Sequence, residues 1–195
     1  MMRDEHCLCA ECDLARSRLA TSTRLVLVIH FRELRTTTNT GRLACLALPD
    51  AELRVRGREG APLRTDDLFE PGRRTLVLFP SEAADDLTPE FAARNPGPYT
   101  LVVPDGNWSQ SRRTARRLGR LDAPDGARVQ FVRLPQAAPS RYALRHEPAP
   151  DGLATCEAIA RALGVLDGAG PQRELERVFE LMVERTLATR GLFPS

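Results

Sequence analysis

Apolar runs of strand length alternate with longer segments of helical periodicity along the chain, a pattern typical of α/β proteins. The first run, Arg24–His30, is almost continuously apolar and therefore predicts a buried strand. A polar stretch follows it, and Asn39 and Thr40 are favourable N-cap residues for a helix that runs through Leu48. The other predicted strands are Glu52–Arg56, Thr75–Phe79, Thr100–Val103 and Arg128–Leu134.

Three longer helices are predicted in the second half of the chain. In the first, at about Trp108–Leu121, a rotation of about 100° per residue gathers apolar side chains on one side and arginines on the other. The second covers about Thr155–Leu166, with Thr155 as its cap. The third covers about Pro171–Arg190, because proline suits the first position of a helix.

Composition indicates a single soluble domain. The chain has 195 residues, of which 42% are hydrophobic and 28% charged, enough for one core with an ordinary surface. No apolar run approaches the ~20 residues that cross a bilayer, and the first residues do not resemble a signal peptide. We therefore expect a cytoplasmic protein that has no membrane partner.

Every residue counted as lysine or arginine is an arginine, and the net charge is only +2. Arginine binds phosphate through two N–H groups and stacks on bases, but so small a net charge means that only clustering can argue for RNA. One cluster lies on the polar face of the first long helix, without acids between its members, and such a face repels itself unless an anion binds it. A solvated face is the alternative. The cluster is Arg112, Arg113, Arg116, Arg117 and Arg120.

Cysteines crowd at the start of the chain. In a cytosolic protein the group Cys7, Cys9 and Cys12 suggests metal binding rather than a disulfide. Three thiolates are one ligand short of a closed zinc site, and His6 is the nearest candidate for the fourth position. A reduced N-terminus without metal is the alternative.

Unusual polar residues follow the predicted strands, at the edge where open α/β sheets bind ligands. His30 ends the first strand, with Glu33 shortly after it, and Asp105 follows Thr100–Val103. Each residue has a structural alternative: His30 as a hydrogen-bonded structural histidine, Asp105 as part of a turn, and Trp108 as a core anchor. The chain has no G-x-G-x-x-G, Walker or G-x-S-x-G motif, which argues against nucleotide and serine hydrolysis.

The order of these fragments resembles the DTW-domain family, which is named for an Asp-Thr-Trp signature and whose known activity is tRNA-uridine aminocarboxypropyl transfer. The resemblance extends from Cys7 to about Ala160, although no single fragment is specific. Asn107 stands where the family usually has threonine, so a capping side chain is kept and a hydroxyl is lost. The fragments are Cys7-Leu8-Cys9; His30-x-x-Glu33 with Asn39-Thr40-Gly41-Arg42-Leu43; Phe79-Pro80-Ser81-Glu82-x-Ala84; Asp105-Gly106-Asn107-Trp108-Ser109-Gln110; and Tyr142-x-x-Arg145 leading to Thr155-x-Glu157-Ala158.

The resemblance implies a SPOUT-like fold of a class that contains knotted chains: one α/β domain with a mostly parallel sheet and flanking helices. It divides the chain into a cysteine-containing segment at 1–22, with zinc as a candidate ligand, and a catalytic domain at 23–195. It also implies S-adenosylmethionine as co-substrate and tRNA as partner, while the oligomeric state stays open. The implied cofactor-binding residues are Phe79, Pro80, Ser81, Asp105, Gly106, Trp108, Leu144, Arg145 and Thr155.

The implied reaction moves the 3-amino-3-carboxypropyl group to uridine N3 and releases 5′-methylthioadenosine. Asp105 is the first candidate for general base or orienting acceptor, and His30 with Glu33 is the second. The helical arginines become a candidate tRNA contact, and Trp108 a platform for the target base or for adenine. Two alternatives remain: an RNA methyltransferase of the same fold, and a non-catalytic RNA-binding or zinc-containing module.

Overall fold

Six parallel strands form one sheet, in the order β2-β1-β5-β3-β6-β4. The computed structural model describes residues 7–36, 39–122, 128–135 and 153–189, and no helix in these ranges is long and apolar enough to cross a membrane. The strands are β1 Arg24–His30, β2 Ala51–Arg56, β3 Arg74–Leu78, β4 Asp85–Asp86, β5 Tyr99–Asp105 and β6 Gln130–Arg133.

Helices cover both faces of the sheet. The strand β1 and the helix at Thr155–Leu166 have the predicted bounds, and the predicted α/β class with a parallel sheet is confirmed. Four elements were not predicted: the helices at Cys9–Arg18 and Pro89–Arg94, the strand β4 and the 3-10 helix at Phe31–Arg35. The helices are α1 Cys9–Arg18, α2 Gly41–Ala47, α3 Pro89–Arg94, α4 Trp108–Leu118, α5 Thr155–Leu166 and α6 Ala169–Thr189, with a 3-10 helix at Phe31–Arg35.

Two capping predictions were wrong. Thr155 does not cap α5; the N-cap is Ala154, whose backbone N–H donates to the Glu157 carboxylate at 3.1 Å. The helix α6 begins at Ala169, so Pro171 lies inside its first turn, where a missing N–H removes no helical hydrogen bond. Thr155 is therefore the first residue of α5 rather than its cap, and its hydroxyl is free to bond to a neighbouring strand.

The two faces of the sheet carry separate hydrophobic clusters, since side chains alternate along each strand. Leu27 and Val103 belong to the cluster that packs against α1, α2, α5 and α6, which we call the α5 face. Val28 and Val102 belong to the cluster that includes Ala115 of α4, which we call the α4 face. The N-terminal helix α1 contributes side chains to the core of the α5 face. The division of the chain between residues 22 and 23 and the knotted path of the chain both stay predictions.

The sheet has a switch point between β1 and β5. These strands are neighbours, but α2 follows β1 on the α5 face whereas α4 follows β5 on the α4 face. The chain therefore turns away from the sheet in opposite directions at adjacent strand ends, and such a place leaves a crevice at the carboxyl edge. The residues that end β1 and β5, His30 and Asp105, lie on its two sides.

Candidate functional site

Asp105 ends β5 and is only 5% exposed, yet it carries a carboxylate. One oxygen, Oδ1, accepts a hydrogen bond from the Thr155 hydroxyl at 2.7 Å. The other, Oδ2, accepts from the Asn39 side-chain amide at 2.6 Å. Both partners are neutral, and within the described residues no arginine lies within ion-pair distance of Asp105. The carboxylate is thus held by two neutral donors, and no described arginine pairs with its charge.

The segment Asn39-Thr40-Gly41 joins the Asp105 carboxylate to α5. Thr40 is the N-cap residue of α2, as predicted, but its side chain makes no capping hydrogen bond; its hydroxyl accepts instead from the backbone N–H of Cys156 at 3.2 Å. Gly41 lies so close to Asp105 that a Cβ there would be 3.1 Å from Oδ2. A side chain here would crowd both Asp105 and Leu27, so the glycine allows the segment to approach the carboxylate closely.

Backbone geometry after β5 directs the chain into α4. Gly106 has a φ of 150°, in the region that L side chains rarely adopt, and a Cβ there would be 2.6 Å from Gln110 Oε1. Asn107 caps α4 through a reciprocal pair: its Oδ1 accepts from the Gln110 N–H at 3.0 Å, and its own N–H donates to Gln110 Oε1 at 2.8 Å. Asparagine thus still performs the capping that the motif needs.

Trp108 is 60% exposed, so its interpretation as a core anchor was wrong. It is the first residue of α4, and its ring stacks on Phe79 with centroids 5.2 Å apart. Phe79 is buried just beyond the end of β3, which is the strand next to β5. Pro80 is exposed and Ser81 half-buried on the same strand-end loop. The stacked pair therefore presents an open aromatic surface at the edge of the sheet.

His30 lies at the same edge on the opposite face. Ile29 is in register with Asp105, so the side chain of His30, one residue later, points to the α4 face. His30 Nδ1 accepts from the Arg32 backbone N–H at 3.3 Å, which places the proton of the neutral ring on Nε2. Burial lowers the pKa of His30, and Arg56, Arg32 and Arg113 lower it further.

Glu33 affects His30 only modestly, since it raises the pKa of the ring by less than burial, Arg56 and Arg32 lower it. Its Oε2 accepts from the Thr36 hydroxyl at 3.2 Å. The balance of charge around the imidazole is therefore cationic. A neutral histidine with its proton on Nε2 and arginines around it is a poorer general base than the paired imidazole that the sequence suggests.

The arginines of α4 are exposed and, within the described residues, lie beyond ion-pair distance of any carboxylate. Elsewhere the same residue type is paired: Arg54 contacts both Glu52 and Asp67 at 2.7 Å. The arginine on β2 therefore belongs to a structural ion-pair network, whereas those of α4 form a basic face that has no ion pair with a described carboxylate. That face is formed by Arg112, Arg113, Arg116 and Arg117. The helix ends at Leu118, before the predicted Leu121, so Arg120 is exposed just beyond it.

The three N-terminal cysteines do not converge. Cys7 and Cys9 are exposed, with sulfur atoms 3.0 Å apart, whereas Cys12 is buried in the core and burial raises its pKa to about 11. Among the described residues no group of three potential ligands is able to hold a metal, and His6 lies outside them. The predicted Cys7, Cys9, Cys12 zinc site is therefore not supported, because its third thiol faces the core.

Thiol reactivity tests this placement. We expect an alkylating reagent at pH 8 to modify Cys7 and Cys9 first, and Cys12 at least about tenfold more slowly, because only thiolates react. Burial also raises the pKa of Cys45, to about 12, and that of Cys156. Peptide mass spectrometry at successive times gives the alkylation rate of each cysteine. In denaturant all five cysteines should react at similar rates. Labelling of Cys12 as fast as Cys7 in the folded protein would place its thiol outside the core.

Two predicted cofactor residues, Leu144 and Arg145, lie outside the described residues. Two others were missed as site residues: Asn39, which donates to Asp105, and Arg56, which is in register with His30. The sequence could have indicated Asn39 as a site residue, because it belongs to the Asn39-Thr40-Gly41 fragment. Nothing in the sequence indicates Arg56 as a site residue, since its position beside His30 depends on the pairing of β2 with β1.

Comparisons with known proteins agree with this arrangement. The sequence model of the DTW domain matches residues 1–187. A protein of Macaca fascicularis named tRNA-uridine aminocarboxypropyltransferase 2 is 30% identical over 165 residues, which is 83% of this chain and 53% of that protein. A protein of the same name from Drosophila melanogaster is 28% identical over 159 residues, 80% of this chain and 61% of that protein. The chain thus spans little more than half the length of these relatives.

A solved structure shares the fold. It is that of the SAM-dependent rRNA:acp-transferase Tsr3 from Vulcanisaeta distributa, which matches with a TM-score of 0.52 and 16% identity. The match covers 86% of this chain and 79% of the other.

Proposed function

Because the chain belongs to the DTW-domain family, we propose that it transfers the 3-amino-3-carboxypropyl group of S-adenosylmethionine to N3 of a uridine in tRNA. The names of the relatives support the group and the substrate. The observation that carries the proposal is the buried carboxylate of Asp105, which ends β5 beside the switch point without a neutralising cation among the described residues.

The sulfonium of the co-substrate supplies an electrophile that is already activated. In the transfer, a bond forms between uridine N3 and the methylene carbon next to sulfur, that carbon–sulfur bond breaks, and its electron pair leaves with 5′-methylthioadenosine. The N3 proton must go to a base. The protein's work is therefore to position two substrates and accept a proton, and positioning alone can lower the barrier by several kcal/mol.

Asp105 is the proposed acceptor of the N3 proton. Its two hydrogen bonds fix the orientation of the carboxylate, and each oxygen retains a lone pair for a substrate. Asn39 and Thr155 act through Asp105, so they are positioning residues. His30 is assigned no proton transfer, since its ring lies on the opposite face among arginines.

The residues described at the strand ends fit S-adenosylmethionine. Trp108 over Phe79 offers an exposed aromatic face for a flat ring, and Gly106 lets a ligand approach the backbone. The exposed α4 arginines fit a polyanionic RNA. A methyltransferase of the same fold is the second candidate, because the two reactions differ only in which carbon of the sulfonium faces N3.

Isotopes separate the two reactions. The protein is incubated with unmodified tRNA and S-adenosylmethionine labelled either in the methyl group or in the carboxyl carbon. We expect carboxyl label in the RNA and methyl label in the released methylthioadenosine, and the protein with Asp105→Asn should form both at least about 10²-fold more slowly. Methyl label in RNA would identify a methyltransferase instead.

A further inference from the structure

The α4 face of the sheet edge contains a cluster of cations that the group-transfer chemistry does not use. His30 and Arg56 are in register on the neighbouring strands β1 and β2. Arg56 donates to the Thr114 hydroxyl at 2.5 Å and to the Gln110 carbonyl at 3.4 Å, so its guanidinium lies against α4. Arg56 is half-buried, and within the described residues no carboxylate lies within ion-pair distance of it.

The arginines of α4 fall into two rows. Residues three or four apart lie side by side on a helix, so Arg113 and Arg117 flank the turn that Arg56 contacts. Burial lowers the pKa of Arg56, and Arg117 and Arg113 lower it further, as closely placed cations do. The second row consists of Arg112 and Arg116 and lies farther around the helix from that turn, while Arg120 lies beyond the end of α4.

The His30 ring completes the cluster with a donor. Because Nδ1 accepts from the Arg32 backbone, the ring donates through Nε2. Gly57 packs closely against this ring: its φ is 87°, and a Cβ there would be 2.9 Å from Nε2. A cluster of arginines with a neutral N–H donor beside it is suited to an anion.

We propose that His30, Arg56, Arg113 and Arg117 form a binding site for one backbone phosphate of the RNA substrate. Trp108 starts the same helix, so the bound phosphate lies within a few helical turns of the proposed stacking surface. The site fixes the RNA strand relative to the target base. The second row contributes only diffuse attraction. This inference rests on the proposed function, because it takes RNA as the substrate.

The two rows provide charge-matched variants for the test. The double variant Arg113→Gln with Arg117→Gln removes two charges beside Arg56; Arg112→Gln with Arg116→Gln removes two charges from the same exposed helix surface. We expect the first to weaken tRNA binding by at least about tenfold and to reduce the slope of log K against log salt by about 1, as the loss of one phosphate contact does. The second should weaken binding less than about threefold. Affinity for S-adenosylmethionine should be unchanged in both variants.

Binding is measured by filter retention or fluorescence anisotropy on unmodified tRNA at several salt concentrations, without any catalytic readout. Equal losses in the two variants would overturn the proposal, since the face would then attract RNA without a defined phosphate site. Weaker cofactor binding with unchanged tRNA binding would also overturn it, because the anion would then be the carboxylate of S-adenosylmethionine. If the row-dependent loss is observed but the wild-type protein transfers no group, the phosphate site stands and the proposed function fails.

Discussion

Replacing Asp105 with asparagine should lower the rate of group transfer by about 10²- to 10⁴-fold, the usual contribution of a general base, while the protein stays folded. Asparagine has the same shape, its oxygen can accept from Asn39, and its amide can donate to the Thr155 hydroxyl. The replacement therefore preserves both contacts of the side chain and removes only the charge and the capacity to take a proton.

The stability of this variant provides the control. A buried carboxylate without a cation costs free energy of solvation, so we expect the urea midpoint of Asp105→Asn to equal or exceed that of the wild type. Thr155→Val, which loses one hydrogen bond to Asp105, should reduce turnover less, by about tenfold, corresponding to about 1.4 kcal/mol of lost positioning. Full activity of Asp105→Asn would remove the carboxylate from the mechanism.

Replacing Trp108 with alanine should lower kcat/KM by about 5- to 100-fold, since stacking of a base on an aromatic side chain contributes about 1–3 kcal/mol. The free energy of unfolding should change little, because the side chain is 60% exposed and its recorded ring contact is Phe79. Trp108→Phe keeps an aromatic face and should retain most of the activity. The two variants together separate stacking from a role in seating α4.

Steady-state kinetics with each substrate varied in turn identifies what stacks on Trp108. A raised KM for tRNA with unchanged KM for S-adenosylmethionine assigns the surface to the target base, and the reverse assigns it to adenine. If the KM for tRNA, the KM for S-adenosylmethionine and kcat are all unchanged in Trp108→Ala, the exposed tryptophan has no part in substrate binding.

Much of the fold was predictable from the apolar runs. The strand β1 has the predicted bounds because Leu25–Ile29 is a continuous apolar run that only a strand buried on both faces explains. The helix α1 was missed because its buried side chains are small, Cys12 and Ala15, and produce almost no helical pattern. The helix α3 has six residues, too few for periodicity to register.

The edge of the sheet that holds the site was predictable, but the face on which each residue lies was not. The rule that ligands bind at strand ends brings His30 and Asp105 together. Which face each side chain takes depends on the register between β1 and β5: Ile29 opposite Asp105 puts the two candidate bases on different faces. A shift of one residue would have put them side by side.

The exposure of Trp108 and the position of Arg56 also depend on tertiary structure, but not on the register between β1 and β5. Periodicity puts Trp108 in line with the buried Ala115 and Leu118, yet as the first residue of α4 it lies beyond the end of β5, where the core has ended. Arg56 acquires its role only because β2 pairs with β1 and α4 packs across their ends. The family resemblance, by contrast, is confirmed by the match to residues 1–187.

Mass spectrometry of the reaction with unmodified tRNA and S-adenosylmethionine is the most direct test of the proposed activity. After digestion of the RNA to nucleosides, we expect aminocarboxypropyl-uridine and an equal amount of 5′-methylthioadenosine, both formed at least about 10²-fold more slowly with Asp105→Asn. A methylated nucleoside together with S-adenosylhomocysteine, or no modified nucleoside from any tRNA despite bound S-adenosylmethionine, would contradict it.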